Sequence, residues 1–216
     1  MIICSKALSL LRIFGVIFTD GEVPNFSTKI TKTLPTDRII LGIDPGTNIM
    51  GFGLISVQGS KVQLIALDVI KLDHLAGQEL KLKHIFEKVL ALIDNYHPDE
   101  VALEAPFFGK NVQSMLKLGR AQGVAMAAGL YRDIPIFEYS PRKVKQSITG
   151  KGNASKEQVS AMLGRIFPMM EQPKYFDATD ALAVATCHYY QRNTVKDKEN
   201  YSGWAAFLKS NPDRVK

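Results

Sequence analysis

The apolar pattern changes period along the chain, and that change sets out the elements. Ile39, Ile40 and Ile43 form a β-branched run that reads as a buried central strand. Asp44 closes the run, Pro45-Gly46-Thr47 turns the chain, and residues 51–55 return as a second strand. Residues 61–72 alternate loosely and predict a third strand after the Gly59-Ser60 turn. Residues 78–96 place Leu80, Ile85, Val89 and Leu92 at helical spacing, with Lys and Glu opposite, and Pro98 stops that helix. Val101-Ala102-Leu103 predicts a short strand ending at Glu104. A long helix is expected over 111–131, a strand over 134–139, and a helix from Ser140-Pro141, with proline near its first position. Gly150-Lys151-Gly152-Asn153 is a loop, 155–167 a further helix, and 177–190 the closing helix. Three strands in succession, then alternating helix and strand, predict an α/β layer with a mixed sheet. The run 119–129 is rich in small side chains, which suits a tight core or a subunit contact.

The two ends fall outside this pattern. Residues 7–18 are apolar but broken by Arg12, with no convincing small-x-small cleavage site after them. The expectation for 1–37 is a disordered extension or a start read too far upstream, with Leu34 as an alternative first residue and a leader peptide as the other reading. One domain is expected over 38–192. Residues 193–216 form a C-terminal tail in which 204–208 has no assigned place. No run reaches the length of a membrane-spanning helix, so no membrane partner is expected.

A share of 46% apolar and 22% charged residues in 216 fits one globular domain with a core of its own. The formal charge of +6 points weakly to a polyanion, and its distribution sharpens the point. No acidic residue occurs over 105–132, which holds Lys110, Lys117, Arg120 and Arg132. None occurs over 141–156, which holds Arg142, Lys143, Lys145, Lys151 and Lys156. Two acid-free basic tracts suit a phosphate-binding surface, the plain alternative being a solvated face. Cys4 and Cys187 make neither a disulfide framework nor a ligand spacing, which fits a reducing compartment.

Four carboxylates stand where an α/β fold presents its chemistry. Asp44 ends the first strand, Glu104 ends the fourth, and Asp177 and Asp180 open the last helix three residues apart, hence on one face. Each has a plain reading alone: Asp44 capping its own turn, Glu104 paired with a nearby lysine, Asp177 as a helix N-cap with Asp180 in the first turn. Together they would repel one another unless cations lay between them. Oxygen ligands without His or Cys point to a hard ion, Mg²⁺ or Mn²⁺. Two such ions about 3.5–4 Å apart serve phosphodiester hydrolysis, one activating water and the other stabilising the departing 3′ oxygen.

GIDPGT at 42–47, LEAPFFGKN at 103–111, LKLGRAQG at 116–123, SPRKVKQSITGKGNASKEQV at 140–159 and DATDALAVATCH at 177–188 together resemble the RuvC family of bacterial Holliday-junction resolvases. The resemblance spans roughly 38–192. It implies a ribonuclease H-like fold with a mixed five-stranded sheet flanked by helices. It also implies a nuclease that resolves four-way DNA junctions by paired, symmetric, metal-dependent cuts leaving 5′-phosphate ends. By position, Asp44, Glu104, Asp177 and Asp180 match the family's catalytic, metal-binding acids, with two Mg²⁺ expected per site and Mn²⁺ able to substitute. Phe107 matches an aromatic set against bases near the crossover, with Phe108 beside it as the competing assignment. Lys145 and Lys156 match basic DNA-contacting positions, and Lys110, Lys117, Arg120, Arg142, Lys143 and Lys151 are expected to hold DNA with them. The family further implies a homodimer, cooperation with the RuvA and RuvB branch-migration machinery, and a cytoplasmic location. Ala105-Pro106 departs from the more polar residues many relatives have there, and the 37-residue leader is not a family feature. Two rivals remain open here. One is a junction-binding protein that does not cut; the other is an actin-like or sugar-kinase ATPase, suggested by GIDPGT but lacking a second phosphate loop.

Overall fold

The computed structural model describes residues 38–106, 111–167 and 174–196, with 193–196 as backbone alone. Its elements are β1 (Arg38–Asp44), β2 (Ile49–Gln58), β3 (Lys61–Lys71), α1 (Gln78–Tyr96), β4 (Glu100–Glu104), α2 (Val112–Leu130), β5 (Ile136–Tyr139), α3 (Pro141–Thr149), α4 (Lys156–Ile166) and α5 (Phe176–Lys196). The strands form one sheet in the order β3-β2-β1-β4-β5. The first three pair antiparallel as a meander, and β4 and β5 add parallel to β1. This is the mixed five-stranded sheet expected.

Helix starts follow local chemistry. Asn111 caps α2, its side chain accepting from the Ser114 amide at 3.1 Å. Ser140 caps α3 ahead of Pro141, and Ser155 with Gln158 forms a capping box on α4. Three boundaries differ from expectation. β2 is longer than 51–55 because β3 pairs with it from Ile49 to Gln58, with a register shift at Leu54/Ile55. β5 begins at residue 136, because the Ile134 amide closes the end of α2 on the Gly129 carbonyl. α5 runs on past residue 190, where Arg192 reaches Glu100 at 2.7 Å. The extension expected at 1–37 and the tail beyond residue 196 lie outside the described residues. Among those described, no helix is long and apolar enough to cross a membrane.

The sheet divides two cores. Side chains alternate across it, so Ile40 and Ala102 pack with α3, α4 and α5, while Leu41, Ile43, Val101 and Leu103 pack with α1 and α2. The same alternation puts Asp44 and Glu104 on the α5 face, beyond Gly42 and Ala102. Helix α5 lies very close to that face. A Cβ added at Gly42 would fall 2.2 Å from the Ala181 carbonyl oxygen and 2.8 Å from the Ala185 Cβ. One added at Gly51, the partner of Asp44 on β2, would fall 1.9 Å from the Asp177 carbonyl oxygen. Only glycine admits this approach of helix backbone to strand backbone. Gly42→Ala is therefore expected to cost about 1–3 kcal/mol, as overpacking of a filled core does. Chemical denaturation of the two proteins measures it.

Candidate active site

Three elements bring the acids together. β1 and β4 are parallel neighbours, with Ile43 opposite Leu103, so Asp44 and Glu104 end at one level on the same face. α5 starts over that level and carries Asp180 in its first turns. Asp44, Glu104 and Asp180 line one cavity of about 930 Å³. Asp44 and Glu104 also border a smaller hollow of about 140 Å³ with Pro45, Ala105, Pro106 and Leu118. Asp177 does not line either space. Nor does it cap α5: the helix begins at Phe176, so Asp177 stands inside the first turn.

The electrostatics are those of an acid cluster short of counter-charge. Burial, with the charges of Glu104 and Asp180 added, raises the Asp44 carboxyl well above the usual carboxylate range, and Asp177 contributes in the same direction. Glu104 is pushed up to about 7, first by burial and then by Asp180. Asp44 makes no hydrogen bond to its own turn among the described residues. The turn is held instead by Lys81 of α1, whose Nζ donates to the Thr47 carbonyl at 3.1 Å and to Asn48 Oδ1 at 2.9 Å. Glu104 has no ion pair among the described residues either. Of the cations acting on Glu104, Lys156 has the larger effect, and it donates to Asp180 Oδ2. Partial burial works to lower the Lys156 ammonium, but the Asp180 hydrogen bond and the charges of Asp180, Asp44 and Asp177 outweigh it and raise it.

The donor set fits a hard divalent ion in its chemistry: carboxylate oxygens only, two of them costly to ionise where they stand. Among the described residues, no three His, Cys, Asp or Glu side chains gather closely enough to hold an ion between them. Mg²⁺ does not require that, because it is commonly held by one or two carboxylates, its own waters and substrate phosphate.

The basic residues divide by position. Arg142, Lys145 and Lys156 line the main cavity. Lys143 and Lys151 are exposed on α3 and the loop after it, and Lys117 and Arg120 are exposed on α2; none of the four lines the cavity. Arg132, counted in the first basic tract, is bound to Asp94 at 2.8 Å and 3.0 Å and so is already neutralised. Phe107, Phe108 and Lys110 lie outside the described residues.

One charged cluster has no counterpart in the sequence reading. Glu100, 4% exposed, sits at the opposite end of β4, where it meets Arg192 at 2.7 Å, His188 Nε2 at 3.0 Å and Arg38 at 3.4 Å. Burial lowers the His188 ring below its ordinary value despite Glu100. The neutral ring then donates through Nε2 to Glu100 and accepts the Tyr139 hydroxyl at Nδ1, 2.7 Å away. A charged residue at the start of an apolar strand was the available signal, but its partners lie far away in the chain.

The sheet order, the acids ending its central parallel pair and the helix crossing them define a ribonuclease H-like nuclease fold. The family model for crossover junction endodeoxyribonuclease RuvC matches residues 40–188. The chain belongs to the RuvC family, whose nucleases are metal-dependent. The protein of that name from Cytophaga hutchinsonii is 60% identical over 180 residues, covering 83% of this chain and 89% of its own length. That from Bacteroides fragilis is 57% identical over 182 residues, covering 83% and 97%. Thermus thermophilus RuvC in complex with Holliday junction substrate superposes with a TM-score of 0.69 at 31% identity, over 73% of this chain and 96% of that one. The yeast mitochondrial resolvase Ydc2, 15% identical over 79% and 87%, shares the fold at a TM-score of 0.55.

The raised carboxyls link stability to pH. An acid whose folded value lies above its unfolded one costs nothing while both states are protonated, and the cost accrues as pH rises toward the folded value. For Glu104 that window runs from its ordinary 4.5 to about 7. The thermal midpoint of the metal-free protein should therefore fall across this window, and should fall less in Glu104→Gln. Calorimetry in a chelating buffer series measures both.

Proposed function

We propose that this chain is a structure-specific endonuclease that resolves four-way DNA junctions in recombination and repair, hydrolysing phosphodiester bonds to leave 5′-phosphate ends. The observation that carries this is the sharing of one cavity by Asp44, Glu104 and Asp180 with Arg142, Lys145 and Lys156. Buried acids that are costly to ionise, beside Arg142 and Lys145, which no described acid pairs, are what a metal-dependent cut in a polyanion requires.

Asp44, Glu104, Asp177 and Asp180 are the catalytic and metal-binding acids in this reading, with two Mg²⁺ per site and Mn²⁺ as a substitute. The bound ions supply Lewis-acid stabilisation of the charge that develops at the scissile phosphate. Asp44 and Glu104, fixed on adjacent strand ends, set where the reacting phosphate stands. Lys145 and Lys156 hold the backbone beside it; Arg142, Lys143 and Lys151 extend that contact along α3 and its loop. Lys117, Arg120 and Lys110, with Phe107 toward the bases, serve the DNA from the α2 side.

The outer face of α2 supports a homodimer. Its inner face buries Ala121, Ala125 and Ala128, while Val112, Leu116 and Leu130 stay 64%, 51% and 58% exposed on another. Gly119 and Gly123 lie on that outer stripe with open space before them. An apolar stripe with two glycines four residues apart suits the close approach of a second copy, and a two-fold dimer matches a two-fold junction. In this reading the enzyme works on chromosomal junctions in the cytoplasm, with RuvA and RuvB as partners.

Incubation with a synthetic four-way junction, with and without Mg²⁺, is the direct test: paired symmetric nicks are expected only with the ion. Asp44→Asn should lower cleavage on the order of a thousandfold, since such ion stabilisation is worth several kcal/mol, and should leave junction binding intact. Equal loss of both would remove the metal role. Added Mg²⁺ should raise the melting midpoint of the parent protein and not that of the Asp44→Asn variant. Lys145→Ala should reduce the salt slope of junction binding by about 0.9. Leu116→Glu should give a monomer by light scattering.

A further inference from the structure

We infer that Asn153 reads a base edge beside the nicked strand and so selects the sequence at which the enzyme cuts. This rests on the nuclease reading above. Charged groups dominate the cavity wall, and they serve ions and phosphates, which carry no sequence information. Two lining side chains have neutral hydrogen-bonding groups, Ser140 and Asn153. The Ser140 hydroxyl is committed, accepting from the Lys143 amide at 3.3 Å as the cap of α3. The Asn153 carboxamide is exposed and makes no hydrogen bond among the described residues. A donor and an acceptor side by side, with nothing to bond, face the same space as the acids. That pair fits a base edge presenting an acceptor beside a donor, as adenine does through N7 and N6.

The loop that carries Asn153 is braced by hydrogen bonds and packing. Gly150 ends α3 with φ 76°, its amide bonded to the Gln146 carbonyl at 2.9 Å. The Thr149 hydroxyl donates to the Lys145 carbonyl at 2.8 Å and accepts from the Lys151 amide at 3.2 Å. The Ala154 amide returns to the Lys151 carbonyl at 3.3 Å, and Ala154 itself is buried in the core. Gly152 lies against the Arg142 stem so closely that an added Cβ would meet its Cγ at 2.6 Å. Asn153 therefore sits on a fixed frame that continues, three residues on, into Lys156 and its bond to Asp180. A side chain held this way keeps one distance from the cut, which is what register-specific reading demands.

The test is a pool of four-way junctions randomised at the crossover, nicked in the presence of Mg²⁺ and sequenced. The parent protein is compared with Asn153→Ala and Asn153→Gln. Asn153→Ala should flatten preference at one base position on the order of tenfold, the discrimination one two-point contact supplies. Preferences elsewhere, the salt slope of binding and the melting midpoint should stay as in the parent, because no charge and no buried group is lost. Asn153→Gln, with the same groups on a longer arm, should recover part of the lost discrimination. An unchanged Asn153→Ala profile overturns the inference, as does an even slowing at every sequence, which would mark a support role. A parent enzyme that nicks without base preference overturns it too, with the nuclease reading left standing. A parent that nicks nothing removes both.

Discussion

The approach of α5 to β1 and β2 is the constraint on which the site depends. Backbone meets backbone at Gly42 and Gly51, and the helix offers small residues, Ala178, Ala181 and Ala185, to the same seam. That closeness brings Asp180 into electrostatic reach of Asp44 and Glu104, at a cost the rest of the core must offset. Ile40, Ile55, Leu163 and Leu182 are fully buried around the seam. Each contributes about 1.5–3 kcal/mol by leaving water. The acids are thus pressed together by apolar packing beneath them rather than by any attraction among themselves.

The two ends of β4 make the point by contrast. Glu100 and Glu104 lie on one face of one strand, Glu100 buried and Glu104 half-buried at the cavity wall. At Glu100, Arg38, Arg192 and the His188 ring surround the carboxylate, and their interactions outweigh burial and hold it below the usual range. At Glu104, no cation pairs directly with the carboxylate among the described residues, and burial first, then Asp180, moves the group up to about 7 against Lys156 and Lys145. A fold able to neutralise a buried carboxylate at one pole leaves the other under-compensated. Such a deficit is tolerated where a ligand supplies the missing charge. Lys81 adds to this by gripping the turn after Asp44 from α1, so the strand end cannot yield to the repulsion.

Much of this was legible in the sequence, for physical reasons that differ by element. The strand and helix periods, the Ser140-Pro141 start and the Ser155/Gln158 cap are local signals, and the structure carries most of them within a residue or two of the expected places, with β2 and α5 running further. The convergence of Asp44, Glu104 and Asp180 was readable because strand ends and helix starts in such a fold share one side. Asp177 was less so: its residue type suggests a cap, whereas its place inside the first turn depends on where α5 meets Gly51. The Glu100 cluster was not legible at all. Arg38 comes from the start of β1 and His188 and Arg192 from one face of α5, all far in sequence from Glu100, and nothing local announces that they meet.

The chain order of these pieces has a kinetic consequence. β1 supplies Asp44 early, β4 supplies Glu104 midway, and the helix bearing Asp180 is the last described element. As the chain leaves the ribosome, contacts so distant in sequence form late. Until α5 docks, the nascent protein holds two of the acids and no closed cavity. A prematurely released copy therefore carries an incomplete acid set.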